Sequence, residues 1–195
     1  MINNEVVEIL AIVDQSGSMD IVRDDAIGGF NTFLADQKAQ GGNANLTLVL
    51  FDDRYLVPIK DTPIQEVQPL DRDTYRPLGW TAMNDAIGKA LTTLEAKNPT
   101  RAIITILTDG AENASKEFSS AQVKAKIQAA EDRGWKVVFL AANIDAFAAG
   151  GSLGIKASST LSFSADAHGV ASAFSSVSSL VTNYRSEPSA PQQGQ

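Results

Sequence analysis

The sequence predicts an α/β fold built on a largely parallel sheet, and three observations carry that expectation. Short β-branched runs bounded by turn residues alternate with longer stretches of helical period. The runs at 9–13 and 102–108 are almost continuously apolar, which suits strands covered on both faces. The chain has 195 residues and 44% hydrophobic content, the size and core content of one ordinary domain.

The elements follow in order. Residues 6–13 read as the first strand. Ile21, Val22, Ala26, Ile27, Phe30, Phe33 and Leu34 recur at three- and four-residue steps, so a long amphipathic helix follows and Gly41-Gly42 stops it. Residues 46–51 and 55–60 are strands joined by only Asp52-Asp53-Arg54, too short for a crossover. They should form an antiparallel hairpin at a sheet edge, where Pro58 is tolerated. Residues 62–79 carry three prolines and read as a long loop with one helical turn at most. Met83, Ala86, Ile87, Ala90, Leu91 and Leu94 mark the next helix, with Thr81 placed to cap it. A buried strand at 102–108, a helix at 119–132 ended by Gly134 and a second buried strand at 137–142 come next. After a small-residue stretch at 146–154, residues 160–163 form a short last strand, and Val170, Ala173, Phe174, Val177, Leu180, Val181 and Tyr184 draw the cleanest helical stripe. Residues 1–185 make one domain, and 186–195, with two prolines and no aromatics, a disordered tail.

Composition removes whole classes of function. The 16 basic residues against 23 acidic ones give a charge of −7, and no basic block interrupts it, so phosphate-tracking nucleic-acid binding and anionic membranes are disfavoured. With no cysteine there is no disulfide, thiolate site or cysteine nucleophile. The single histidine, His168, expected on the surface at the start of the last helix, excludes multi-histidine metal sites. Any metal must therefore take oxygen ligands, which points to Mg²⁺, with Mn²⁺ or Ca²⁺ also fitting. No apolar run approaches the roughly 20 residues needed to span a bilayer, and the first residues lack a basic and apolar leader pattern, so a cytoplasmic protein is expected.

Three segments bring oxygen-bearing residues to the carboxyl edge that a parallel sheet would create: Asp14-Gln15-Ser16-Gly17-Ser18, Gly79-Trp80-Thr81 and Thr108-Asp109-Gly110. The alternation in Asp14-x-Ser16-x-Ser18 aims a carboxylate and two hydroxyls the same way, half of an octahedral shell, while Thr81 could add a hydroxyl and Asp109 a second carboxylate. Only two formal charges would face a divalent cation, leaving it electrophilic toward an incoming carboxylate. Trp80 could anchor a partner on the rim or pack against the preceding loop. Glu112, Asn113, Asn143 and Asp145 should share the edge as turn residues or specificity residues, and Asp85 should favour its helix start electrostatically.

These residues resemble the von Willebrand factor type A domains, whose metal-ion-dependent adhesion site has the pattern Asp-x-Ser-x-Ser, then a distant Thr and a distant Asp. Asp14, Ser16, Ser18, Thr81 and Asp109 match in order, and the strand-helix sequence matches from 6 to 184. The resemblance implies a Rossmann-like, doubly wound sheet with one antiparallel edge strand and about six flanking helices. It also implies a non-enzymatic, Mg²⁺-dependent module in which an acidic residue of a protein partner completes the coordination, as in stand-alone prokaryotic or phage members. The pair Asp24-Asp25 comes too late after Ser18 for the further metal site some members carry. A monomer is expected, since no long apolar stripe is left over.

Two other readings compete. A Mg²⁺-dependent phosphoryl-transfer enzyme could use Asp14 as nucleophile, but Ser16 stands where a second Asp should be and no general acid is evident. A structural component of a larger assembly would use the metal for local stability alone. No Walker loop occurs, and neither serine lies in a Gly-x-Ser-x-Gly elbow that would let it pair with His168.

Overall fold

The computed structural model describes residues 5–142 and 145–188. Six strands form one sheet: β1 (Val7–Asp14), β2 (Ala44–Phe51), β3 (Tyr55–Pro63), β4 (Arg101–Thr108), β5 (Lys136–Ala141) and β6 (Thr160–Ser162), in the order β3-β2-β1-β4-β5-β6. All neighbours pair in parallel except β2 and β3, which form the expected antiparallel edge hairpin. Residue alternation along β1 divides the core. Val7, Ile9, Ala11 and Val13 face one layer with α1 (Arg23–Ala39) and α5 (Ala167–Ser186). Leu10 and Ile12 face the other with α2 (Met83–Lys97) and α3 (Ser120–Asp132).

The described residues hold five α-helices and three short 3-10 helices, where about six helices were expected. The fifth is α4 (Ala146–Ser152), which lies in the small-residue stretch that carried no helical period and which Asp145 caps by accepting from the Ala148 amide at 3.0 Å. The helix after β1 opens as a 3-10 turn over Gly17–Val22 and becomes α-helical only at Arg23. That change of period turns Met19 and Val22 inward and leaves Ile21, expected on the buried stripe, 89% exposed. Ser119 and Gln122 close a capping box on α3. None of the described helices is long and apolar enough to cross a membrane. Helix α5 runs through Ser186, and most of the expected tail lies outside the described residues.

The segment between β3 and α2 decides where the site sits. After a single turn at Ile64–Glu66, Val67, Leu70 and Tyr75 bury themselves in the α1/α5 layer, and Asn31 holds Leu70 by accepting from its amide at 2.8 Å and donating to its carbonyl at 2.9 Å. Met83 already belongs to the opposite layer. The chain therefore crosses from one face of the sheet to the other at Leu78–Ala82, over the carboxyl end of β1. Gly79 makes the crossing possible, because its φ of +74 is a left-handed conformation that other residues rarely adopt.

Candidate metal centre at the carboxyl edge

Chain order reverses between β1 and β4, the pair from which the sheet grows in both directions. Ligands of open α/β sheets bind at such a point. Asp14 ends β1, and Asp109 follows directly on β4, whose residues Thr108 and Leu107 lie beside Asp14 and Val13.

The oxygens converge as their spacing suggested. Asp14 is fully buried; its Oδ1 accepts from the Ser16 amide at 2.6 Å and its Oδ2 from the Thr108 hydroxyl at 2.6 Å. The Ser18 hydroxyl donates to Asp109 Oδ1 at 2.7 Å and lies 3.2 Å from Ser16 Oγ. Thr81 is buried, and its hydroxyl makes no hydrogen bond among the described residues. It faces Gly110, where a Cβ would stand 3.2 Å from Thr81 Oγ1, so the glycine leaves room between this hydroxyl and the β4 turn.

Backbone bonds lock the three segments together. Gln15 N–H donates to Phe51 O at 2.7 Å, Leu78 N–H to Gln15 O at 2.8 Å, Gly17 N–H to Gly79 O at 3.1 Å and Ala82 N–H to Asp52 O at 2.9 Å. Thr81 and Asn113 are joined twice, through Thr81 N–H to Asn113 Oδ1 at 2.8 Å and Asn113 N–H to Thr81 O at 3.0 Å. The Tyr75 hydroxyl, buried beneath the turn, donates to the Asp14 carbonyl at 2.6 Å.

Electrostatically the site is unbalanced toward negative charge. Burial pushes the Asp14 carboxyl up to about 6, against hydrogen bonds from Thr108 and Ser16 that favour its charged form, and the Asp109 charge adds to the rise. Burial likewise raises Asp109, despite the Ser18 hydrogen bond. Among the described residues no Lys or Arg forms an ion pair with either carboxylate, and no three acidic or histidine side chains cluster as a metal cage. Two carboxylates, three hydroxyls and no nitrogen or sulfur donor fit a hard divalent cation with coordination positions left for water or a ligand.

No protein-family model matches the chain, and no curated protein matches it in sequence. Solved structures match it throughout. The vWF domain of the type V pili tip protein Mfa5 from Porphyromonas gingivalis superposes with a TM-score of 0.69 at 13% identity, covering 96% of this chain and 98% of that one. The fold is that of a von Willebrand factor type A domain. The chain also matches the manganese-loaded TRAP protein of Plasmodium vivax, with TM-score 0.62, 18% identity and coverage of 93% and 74%. A third match is proximal thread matrix protein 1 of the mussel byssus with a zinc-occupied MIDAS motif, with TM-score 0.64, 15% identity and coverage of 93% and 47%. The chain thus spans about half the length of the mussel protein, and 64% of the PilB minor pilin of Streptococcus sanguinis.

Within this VWA fold the neighbouring residues take definite roles. Thr81 does not cap α2, because the helix begins one residue later than a Thr81 cap requires, with Ala82 at the cap position. Its amides are met instead from the loop after β4: Glu112 Oε2 accepts from Asn84 N–H at 2.7 Å and Ser115 Oγ from Asp85 N–H at 3.0 Å. The Thr81 hydroxyl is thereby left to the site. Glu112 and Asn113 are turn-forming residues, and Glu112 Oε1 also accepts from the amides of Ala114 and Ser115. Asp85 sits in the first turn of α2, and its carboxylate takes the amides of Lys116, Glu117 and Phe118. Burial opposes its charge, but these bonds outweigh burial and hold its carboxyl below the ordinary value. Asn143 lies outside the described residues, and His168 is exposed in the first turn of α5. Trp80 does not pack under the loop; it is 68% exposed on the rim. Sequence reasoning named Thr108 without giving it a role and passed over Tyr75, whose one signal is an aromatic ring within a polar, proline-rich loop.

Proposed function

We propose that this VWA domain is a non-enzymatic protein-interaction module that works through a divalent cation held by Asp14, Ser16, Ser18, Thr81 and Asp109. The observation that carries the reading is the meeting of two desolvated carboxylates with the Ser16 and Ser18 hydroxyls at the sheet's switch point, with the Thr81 hydroxyl facing the turn after β4 and no ion-paired cationic side chain among the described residues to balance the charge. A bound Mg²⁺ would supply a Lewis-acidic position for an acidic side chain of a protein partner. The chain's own contribution is to hold the five oxygens in place. Thr108 and the Ser16 amide fix the two Asp14 oxygens, Ser18 fixes Asp109, and the Gly17–Gly79 and Thr81–Asn113 bonds fix the loops that carry the hydroxyls. Manganese in TRAP and zinc in the mussel protein support a divalent ion at this edge, and the pilus proteins support a protein partner. A monomeric, cytoplasmic protein belongs to the same reading.

Calorimetric titration of Mg²⁺ into the wild type and into Ser16→Ala and Asp109→Ala tests the metal site. Both variants should lose at least about tenfold in affinity while keeping the wild-type circular dichroism, since each removes one donor from a shell built of few charges. Unchanged affinity in both variants would remove the site. Pull-downs with wild-type protein in Mg²⁺ and in EDTA test the interaction, and capture should require the metal.

A further inference from the structure

Half of the large apolar side chains exposed among the described residues lie at the carboxyl edge of the sheet. Eight are exposed among the described residues, and four of them, Ile21, Leu78, Trp80 and Phe147, lie on segments that leave the carboxyl ends of the strands or cross above them. Leu78 and Trp80 flank Gly79, whose carbonyl receives the Gly17 amide, and Trp80 immediately precedes Thr81. Their exposures of 63% and 68% are therefore fixed within a few residues of the Ser16, Ser18 and Thr81 oxygens. Exposed apolar clusters on a stable domain mark contact surfaces, and tryptophan is the residue most enriched among those that dominate binding energy.

Beside Trp80 opens a cavity of about 460 Å³. Tyr55 and Trp80 contribute rings to its lining, and Ala82, Ala86 and Ala114 contribute methyl groups. The charged side chains around it are largely matched among themselves. Arg54 pairs with the buried Asp52, Lys89 pairs with Glu117 at 2.7 Å and lies over the Tyr55 ring, and Asp85 is saturated by three backbone amides. Asp53 and Lys116, the remaining pair, offset one another in sign. The cavity therefore has two aromatic rings in its lining and no net call for a charged guest, and it adjoins the segment that carries Thr81: Trp80 and Ala82, on either side of Thr81, and Asn113, which is bonded to it, all line the cavity.

We propose that this cavity is a side-chain socket. It takes a bulky apolar residue of the protein partner that is adjacent in sequence to the Asp or Glu reaching the metal, so the recognised element is a carboxylate with an aromatic or branched aliphatic neighbour. The inference rests on the metal-dependent reading above and adds the identity of the neighbouring residue. The carboxylate provides the metal dependence and the apolar neighbour, closing on Trp80, provides the selectivity.

The probes are two capped pentapeptides, Gly-Gly-Glu-Phe-Gly and Gly-Gly-Glu-Ser-Gly, titrated in Mg²⁺ and in EDTA while the Trp80 indole N–H is followed by NMR. Trp135, the other tryptophan, is buried and serves as an internal control. The Phe peptide should bind roughly tenfold more tightly than the Ser peptide, as burial of most of one aromatic side chain implies. Trp80→Ala should erase that difference while leaving calorimetric Mg²⁺ affinity unchanged. Equal affinity of the two peptides, a preference that survives Trp80→Ala, or no binding of either peptide would overturn the socket, and the Mg²⁺ titration would still stand for the metal site. A Phe preference that is identical in EDTA would keep the socket and sink the metal-mediated contact. Concentration-dependent dimerisation abolished by Trp80→Ala would assign the socket to a second copy of the chain and overturn the proposal.

Discussion

Asp14 carries opposing demands. Its carboxylate is fully buried, and its carboxyl is raised to about 6. A carboxyl raised in the folded state binds its proton there between the ordinary value of 3.8 and about 6, where the unfolded chain has released it. The stabilisation it gives the metal-free protein is thus complete below 3.8 and lost as pH rises through about 6. A divalent cation reverses the preference, because it needs the carboxylate ionised. Mg²⁺ affinity measured by calorimetry between pH 7.5 and pH 5 should therefore be flat at the upper end and fall as pH drops below about 6, by up to roughly tenfold per pH unit. A pH-independent affinity over that range would remove Asp14 from the shell. That Asp14, Ser16, Ser18 and Asp109 would meet at the carboxyl edge was legible in the sequence, because alternation along one turn and placement after buried strands are sequence properties, whereas Thr81 was marked only by its place before a helix. The support beneath them was not. Thr108 and Tyr75 reach Asp14 from 94 and 61 residues away, and nothing local to either residue announces such a contact.

At the scale of elements, α2 is held at its start by a loop that is remote in sequence. Asp85 receives three amides from 116–118, and Glu112 and Ser115 cap the helix in return. Asp85→Ala should leave three backbone donors without their partner and cost about 1–3 kcal/mol in urea denaturation, with faster amide exchange at Lys116, Glu117 and Phe118. An unchanged midpoint would mean that the loop closes on water equally well. The same exchange of caps explains which elements could be read in advance. Strands β1, β4 and β5 were legible as nearly continuous apolar runs, and helices α2, α3 and α5 by apolar periods of their own. Helix α4 was not, since Ala146-Phe147-Ala148-Ala149-Gly150-Gly151 has too few large residues to show a face, and it forms because Asp145 caps it and Ala146 and Gly150 pack inward. The 3-10 opening before α1 was hidden for the converse reason: Met19 and Val22 are three residues apart, a spacing both helix types share, and only the placement of Ile21 tells them apart.

For the whole molecule, the carboxyl edge of the sheet joins loops from both layers of the core, so occupancy by a cation there should be felt as global stability. A ligand present at about one hundred times its dissociation constant stabilises the folded state by about 2.7 kcal/mol, and a domain of this size gains roughly 2–4 °C per kcal/mol. The melting temperature should thus rise by about 5–10 °C on saturation with Mg²⁺, and Ser16→Ala should show little of that rise. The two ends of the sheet carry a different consequence. Strand β6 spans only three residues, and β3 carries Pro58, Pro63, Lys60, a left-handed Asp61 with φ 47 and two register shifts against β2. A neighbouring chain that tried to extend the sheet would find too short a template at one end, and at the other a kinked one that lacks amide hydrogens at two positions. Edge-to-edge recruitment is thereby hindered at both ends of the sheet, so contacts with other chains are steered away from the strand edges and toward side-chain surfaces such as the rim of loops above the strands.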